Sequence, residues 1–178
     1  LLEATSNLLG DVIVDFLITG EVPVRKGNRH PSFAPHDVFR CSGDDQWIAI
    51  VIRSDAEWER FCRIMNRVEL IRDPRFAREK ARHTNQGLLK DIVEQWTSSF
   101  EAMAACQILQ KHDIAAGPVM SAKDLLGDNH LDRRGFFQHV DRKEVGVHPY
   151  PSIPMRSSGS PYPVRRPAPL LGEHNEYV

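Results

Sequence analysis

The sequence predicts an α+β fold: a small domain with an antiparallel hairpin and surrounding helices, carried between flanking segments that pack on something else. Three observations lead there. Two β-rich runs, Asp37-Val38-Phe39-Arg40-Cys41 and Trp47-Ile48-Ala49-Ile50-Val51-Ile52, flank the turn sequence Ser42-Gly43-Asp44-Asp45-Gln46, which is the pattern of a hairpin. Behind them, to about His112, apolar residues recur at helical spacing. On either side the texture changes, to an apolar helix before the hairpin and to short, proline-interrupted strand candidates after the helices.

The elements follow in order. Leu1 to Thr19 reads as one helix ending near Gly20, with Glu3, Asn7, Asp11 and Asp15 at four-residue spacing on one face. Three acids on one stripe are costly in hydrocarbon, so a buried helix with one wet edge is expected, not a membrane span. Residues 21–35 are a basic connector with three prolines and no apolar period. The second hairpin strand is apolar on both faces and is expected to be covered on both sides. Ser54 and Glu57 form an N-terminal capping box, each side chain reaching the other's amide. The helix behind it lines up Trp58, Phe61, Cys62 and Met65 as a core stripe. After a break at Arg72-Asp73-Pro74-Arg75-Phe76, a helix from about Thr84 to Thr97 turns Leu88, Leu89, Ile92, Val93 and Trp96 inward. Ser98-x-x-Glu101 opens another, through His112. Then come an extended stretch (residues 114–119), a short helix capped by Ser121 and Asp124, a further turn or two from Asp128 to Arg134, strand candidates at residues 136–140 and 145–148, and the start of a helix at Leu170. The chain begins without Met inside a helical pattern and stops inside another, so both ends read as cut.

Composition narrows the function classes. A chain of 178 residues with 41% hydrophobic and 26% charged content is globular, and a net charge of -1 gives no reason to expect nucleic acid or an anionic membrane as partner. Cys41, Cys62 and Cys106 are an odd number without C-x-x-C spacing, which points to reduced, buried thiols in a cytoplasmic protein. Eight histidines show no H-x-H, no H-E-x-x-H and no clustering with cysteine, so no metal is expected. Gly-x-Ser-x-Gly, Walker and Gly-x-Gly-x-x-Gly loops are missing. His112-Asp113 and Glu173-His174 are sequence neighbours, which seldom face each other productively. Spacing alone discloses no active site.

Four stretches in register say more. They are Gly27-Asn28-Arg29-His30-Pro31-Ser32-Phe33-Ala34-Pro35 running into the hairpin; Asp73-Pro74-Arg75-Phe76 with Arg82 and Asn85; Ile114-Ala115-Ala116-Gly117-Pro118-Val119 followed by Asn129-His130-Leu131; and Ala168-Pro169-Leu170-Leu171-Gly172-Glu173-His174. In this order the whole chain resembles the C-terminal half of the family III (CaiB/BaiF-type) CoA-transferases. The resemblance implies a large Rossmann-like α/β domain beside a small α+β domain, with residues 1–20 a helix associated with the large domain, 21–36 a linker facing the active site, 37–112 the small domain, and 113–178 the return linker and C-terminal segments. It implies an interlocked homodimer, coenzyme A and acyl-CoA as substrates together with carboxylic acids, and an aspartate nucleophile in an N-terminal half that these residues do not match.

The stretch aligned with residues 28–34 is a glycine-rich loop over the thioester in the formyl-CoA branch; here it has no glycine run. The resemblance makes Arg29, His30 and Ser32 donors toward an acyl carboxylate or thioester oxygen, Phe33 a wall of the acyl pocket and Asn28 their neighbour in the loop. Against this stands a purely structural role, in which Arg29 and His30 pin the linker. An acyl-CoA racemase of the same family, which moves an α-proton, and a non-catalytic dimerisation module remain the alternatives. The run Ser54-Asp55-Ala56-Glu57-Trp58 leans toward the transferase.

Overall fold

A computed structural model describes residues 2–176, which divide into two units, residues 1–119 and 120–178. In the first unit, α1 (Leu2–Leu8) and α2 (Gly10–Thr19) replace the single expected helix; the chain turns at Leu9, which has φ -102° and ψ 14°. Gly20 closes α2 in the left-handed region, φ 72°, donating its amide to Phe16 O at 2.8 Å. The expected burial of this segment is not met. Neither helix buries a residue, and Leu8, Leu17 and Ile18 are at least three-quarters exposed, because no described element covers them.

The core begins at β1 (His36–Arg40) and β2 (Trp47–Val51), paired antiparallel with Phe39 opposite Ile48. Gly43 has φ +106° in the connecting turn, where a Cβ would also crowd the Gln46 side chain at 3.1 Å. β3 (Ala115–Pro118) adds antiparallel to the other edge of β2, giving the order β1-β2-β3. The sheet thus recruits a strand from beyond residue 112, where the sequence reading placed the return linker. Ile48, Ile50 and Ile52 are fully buried, whereas Trp47, Ala49 and Val51 on the other face are only partly covered; the strand is not sealed on both sides.

Helices close the buried face. Ser54 caps α3 (Asp55–Ile64) by accepting from the Glu57 amide at 3.2 Å. Glu57 does not complete the box at Ser54; its carboxylate takes the Arg53 amide at 2.7 Å and the Arg53 guanidinium at 2.8 Å. Trp58, Phe61, Cys62 and Met65 are buried as a stripe. After the 3-10 turn Val68–Ile71, the helix expected from Thr84 divides into α4 (Glu79–Thr84) and α5 (Gln86–Thr97), with Asn85 between them donating to Ala81 O and Arg75 O. Leu89 and Val93 are buried and Ile92 and Trp96 half-buried, but Leu88 is 51% exposed. The inward position is taken by Thr97, whose hydroxyl donates to Arg40 O at 2.6 Å. Ser98 ends α5 in a helical conformation and does not cap α6 (Ala102–Lys111), whose N-cap is the extended Glu101. α6 packs on β2 and β3, and α5 on β1.

In the second unit, Ser121 and Asp124 form a complete capping box on α7 (Ala122–Leu126), and Asp128 caps α8 (Asn129–Arg133). β4 (Phe137–Arg142) and β5 (Gly146–Pro151) pair antiparallel, followed by the short pair β6 (Arg156–Ser157) and β7 (Ser160–Pro161). The helix expected from Leu170 is a series of turns up to residue 176, where Gly172 has φ +75°; Tyr177 and Val178 lie outside the described residues.

Candidate functional site

The loop between α2 and β1 is exposed for most of its length, yet it is fastened at two points by consecutive residues of α4. Arg82 is the first fastening and is fully buried. Its Nε donates to Ala34 O at 2.9 Å, Nη1 to Phe76 O at 3.0 Å and Nη2 to Asp55 Oδ1 at 2.9 Å. The guanidinium lies over Trp58, 5.5 Å from the ring centroid. Partial burial pushes the Asp55 carboxyl up, but the hydrogen bond and charge of Arg82, joined by Arg78, outweigh this and hold it below its ordinary value. His83 is the second fastening, its Nε2 donating to His30 O at 3.1 Å.

Between these points the loop organises itself around His30. Its Nδ1 accepts the amides of Ser32 at 3.1 Å and Phe33 at 3.2 Å. Both partners can only donate, so Nδ1 is the accepting nitrogen and Nε2 is the one left to donate. The ring stacks on Phe33 at 4.4 Å and meets His36 at 5.2 Å, and His36 Nδ1 in turn donates to Asn28 O at 2.6 Å.

This arrangement walls an open cleft of about 400 Å³ lined by Arg25, Lys26, Arg29, His30, Pro31, His83 and Gln86. Of the residues singled out in the sequence, Arg29 and His30 line it. Asn28, Ser32 and Phe33 do not: Asn28 contributes its carbonyl to His36, Ser32 its amide to His30, and Phe33 both its amide and its ring to His30. Sequence reasoning missed five lining residues, Pro31 among them although it lies inside the loop stretch that was singled out. Arg25 and Lys26 left a trace in the basic character of the connector, whereas His83 and Gln86 come from beyond residue 80 and left none. Among the described residues no group of three or more His, Cys, Asp or Glu is placed to hold a metal ion.

Residues 1–175 match the sequence profile of CoA-transferase family III. The chain belongs to this family. Among relatives, it is 37% identical over 156 residues to the "Probable CoA-transferase Rv1866" of Mycobacterium tuberculosis, covering 84% of this chain and 19% of that protein. It is 29% identical over 176 residues to the succinyl-CoA–D-citramalate CoA-transferase of Chloroflexus aurantiacus, covering 99% of this chain and 44% of the relative. The crystal structure of a CaiB/BaiF family protein from Brucella suis superposes with a TM-score of 0.80 at 27% identity, over 97% of this chain and 44% of that one. The chain therefore spans less than half the length of these family members. The α+β class expected from the sequence is the observed one. No described helix is long and apolar enough to cross a membrane.

Proposed function

We propose that the protein carrying this chain transfers CoA between carboxylic acids through acyl-CoA thioesters, with this chain as its C-terminal part. The observation that carries the reading is the family match over residues 1–175 together with a loop that displays Arg29 and His30 on a cationic cleft. An aspartate from the N-terminal half attacks the acyl-CoA carbonyl, giving a mixed anhydride and CoA thiolate. The thiolate then attacks the aspartyl carbonyl, releasing the first acid and leaving a protein–CoA thioester; the second acid and the thiolate reverse both steps. The loop's part is to bind and orient. His30 Nε2–H and the Arg29 guanidinium are the donors directed at the acyl oxygens, and Ser32, Phe33 and Asn28 act through His30 and His36, which they hold in place.

Acids with two carboxylates are the substrate class we favour, since the Chloroflexus relative is named for succinyl-CoA, the monothioester of a dicarboxylic acid, and for D-citramalate, a dicarboxylate. An interlocked homodimer in the cytoplasm completes the proposal, the latter supported by three free, buried cysteines. The Ser54–Trp58 run does not separate transferase from racemase, because Ser54, Asp55 and Glu57 serve capping and anchoring and Trp58 the core.

The test is to trap the protein–CoA thioester in the intact protein by borohydride or hydroxylamine and to map it by mass spectrometry. A trapped aspartyl adduct upholds the proposal, and α-proton exchange with no adduct refutes it. Within the same assay, Arg29→Ala is expected to raise the acid KM or lower kcat; unchanged kinetics removes Arg29 from the site.

A further inference from the structure

The two fastenings of the loop differ in what they satisfy. Arg82 serves the carbonyls of Ala34 and Phe76, residues that are fully buried and whose acceptors need a protein donor. His83 answers no such need. His83 and His30 are both half-buried and both line an open cleft, where water is at hand as another donor for the His30 carbonyl. The bond of 3.1 Å from His83 Nε2 to that carbonyl therefore acts on position rather than on an orphaned acceptor.

What it positions is one imidazole. His83 ties down the backbone of His30, the amides of Ser32 and Phe33 hold its Nδ1, and the Phe33 ring, stacked 15° from parallel, holds its plane. His30 Nε2, by contrast, has no hydrogen-bond partner among the described residues. A ring restrained from three sides thus keeps its one remaining donor unused. The restraint reaches the core through α4: successive side chains of a helix diverge by about 100°, so adjacent residues can hold both ends of the stretch from His30 to Ala34. Arg82 carries that hold onward to Asp55 and Trp58.

We propose that His83 is a positioning residue for the transfer reaction: through the His30 carbonyl it sets where the Nε2–H of His30 stands, and it makes no bond to substrate itself. This rests on the transfer reading for its chemical meaning, but the placement of the loop is measurable without turnover.

The experiment compares the intact wild-type protein with His83→Leu, which has no donor, and His83→Gln, whose side-chain amide donates from nearly the same place. Amide exchange at Ser32 and Phe33 is expected to be about fivefold faster in His83→Leu, the equivalent of one net hydrogen bond. Tm is expected to move by no more than about 4 °C. A donor that matters most as charge develops on the acyl oxygen affects kcat more than KM. With succinyl-CoA and D-citramalate, His83→Leu is expected to lower kcat at least about tenfold while KM stays within about twofold. His83→Gln is expected to restore both the exchange rates and kcat.

Wild-type exchange at Ser32 and Phe33 in His83→Leu, or wild-type kcat, overturns the proposal. So does a His83→Gln protein as slow as His83→Leu, because the imidazole itself would then be meeting substrate. Faster exchange in His83→Leu, in a protein whose wild type forms no CoA adduct, leaves His83 as the fastening of the loop and removes the transfer reading. Adduct formation and turnover that are indifferent to His83 do the reverse.

Discussion

Replacing Arg82 by alanine removes three hydrogen bonds and a cation stacked on Trp58, leaving the buried carbonyls of Ala34 and Phe76 without donors. Unsatisfied buried acceptors and a broken charge pair are among the few mechanisms that cost a domain several kcal/mol. Urea denaturation of Arg82→Ala is expected to show a loss of about 3 kcal/mol, against less than about 0.5 kcal/mol for the exposed Arg29→Ala. Asp55 supplies the pH dependence. Its carboxyl is held below the ordinary value in the folded state, so the stability it contributes is present above the unfolded aspartate range and is lost as pH falls through the lowered value. The gap in Tm between wild type and Asp55→Asn is therefore expected to persist at neutral pH and to close progressively below about pH 4; a gap that widens on acidification contradicts this. The cysteines behave oppositely, since burial pushes the Cys62 thiol up to about 12 and raises Cys41 and Cys106 as well. Iodoacetamide at neutral pH is expected to leave all three unmodified until denaturant is added.

At the scale of elements, local sequence signals held where nothing competed for the residues. Ser121 and Asp124 make the box their spacing announces, and Ser121→Ala is expected to cost about 1 kcal/mol locally, read as faster amide exchange in α7. Ser98 and Glu101 have the same spacing, but Ser98 is held as the last turn of α5 by its amide bond to Glu94 O, so the box cannot form. In α5 the helical period identified the right stripe but made it too wide. Leu89→Ala is expected to cost about 3 kcal/mol, whereas Leu88→Lys is expected to change the urea midpoint little.

For the whole molecule the open question is the apolar surface of α1 and α2. Leu9, Ile13, Val14, Phe16, Leu17 and Ile18 are each more than two-fifths exposed, and no described element covers them. Contiguous apolar surface of this kind drives association. The 178-residue chain prepared by itself is expected to self-associate in light scattering, and Phe16→Lys with Leu17→Lys is expected to shift it toward monomer.

Family, fold class and the succession of hairpin, α3, α5, α6, β3, α7 and α8 were legible in the sequence, because hairpin chemistry, helical period and caps act over a few residues and survive without partners; α4 and the 3-10 turn before it left no such signal. The loop's two cleft residues Arg29 and His30 were legible too, since the stretch around them carries the resemblance. Tertiary structure decided the rest. β3 joins the sheet from some 65 residues beyond β2. Arg82 and His83 reach 48 and 53 residues back to Ala34 and His30. His30 Nδ1 is turned to its own loop's amides, so its donor must be Nε2. Pairings across such separations are settled by which buried groups must find partners, a condition that no local pattern of residues records.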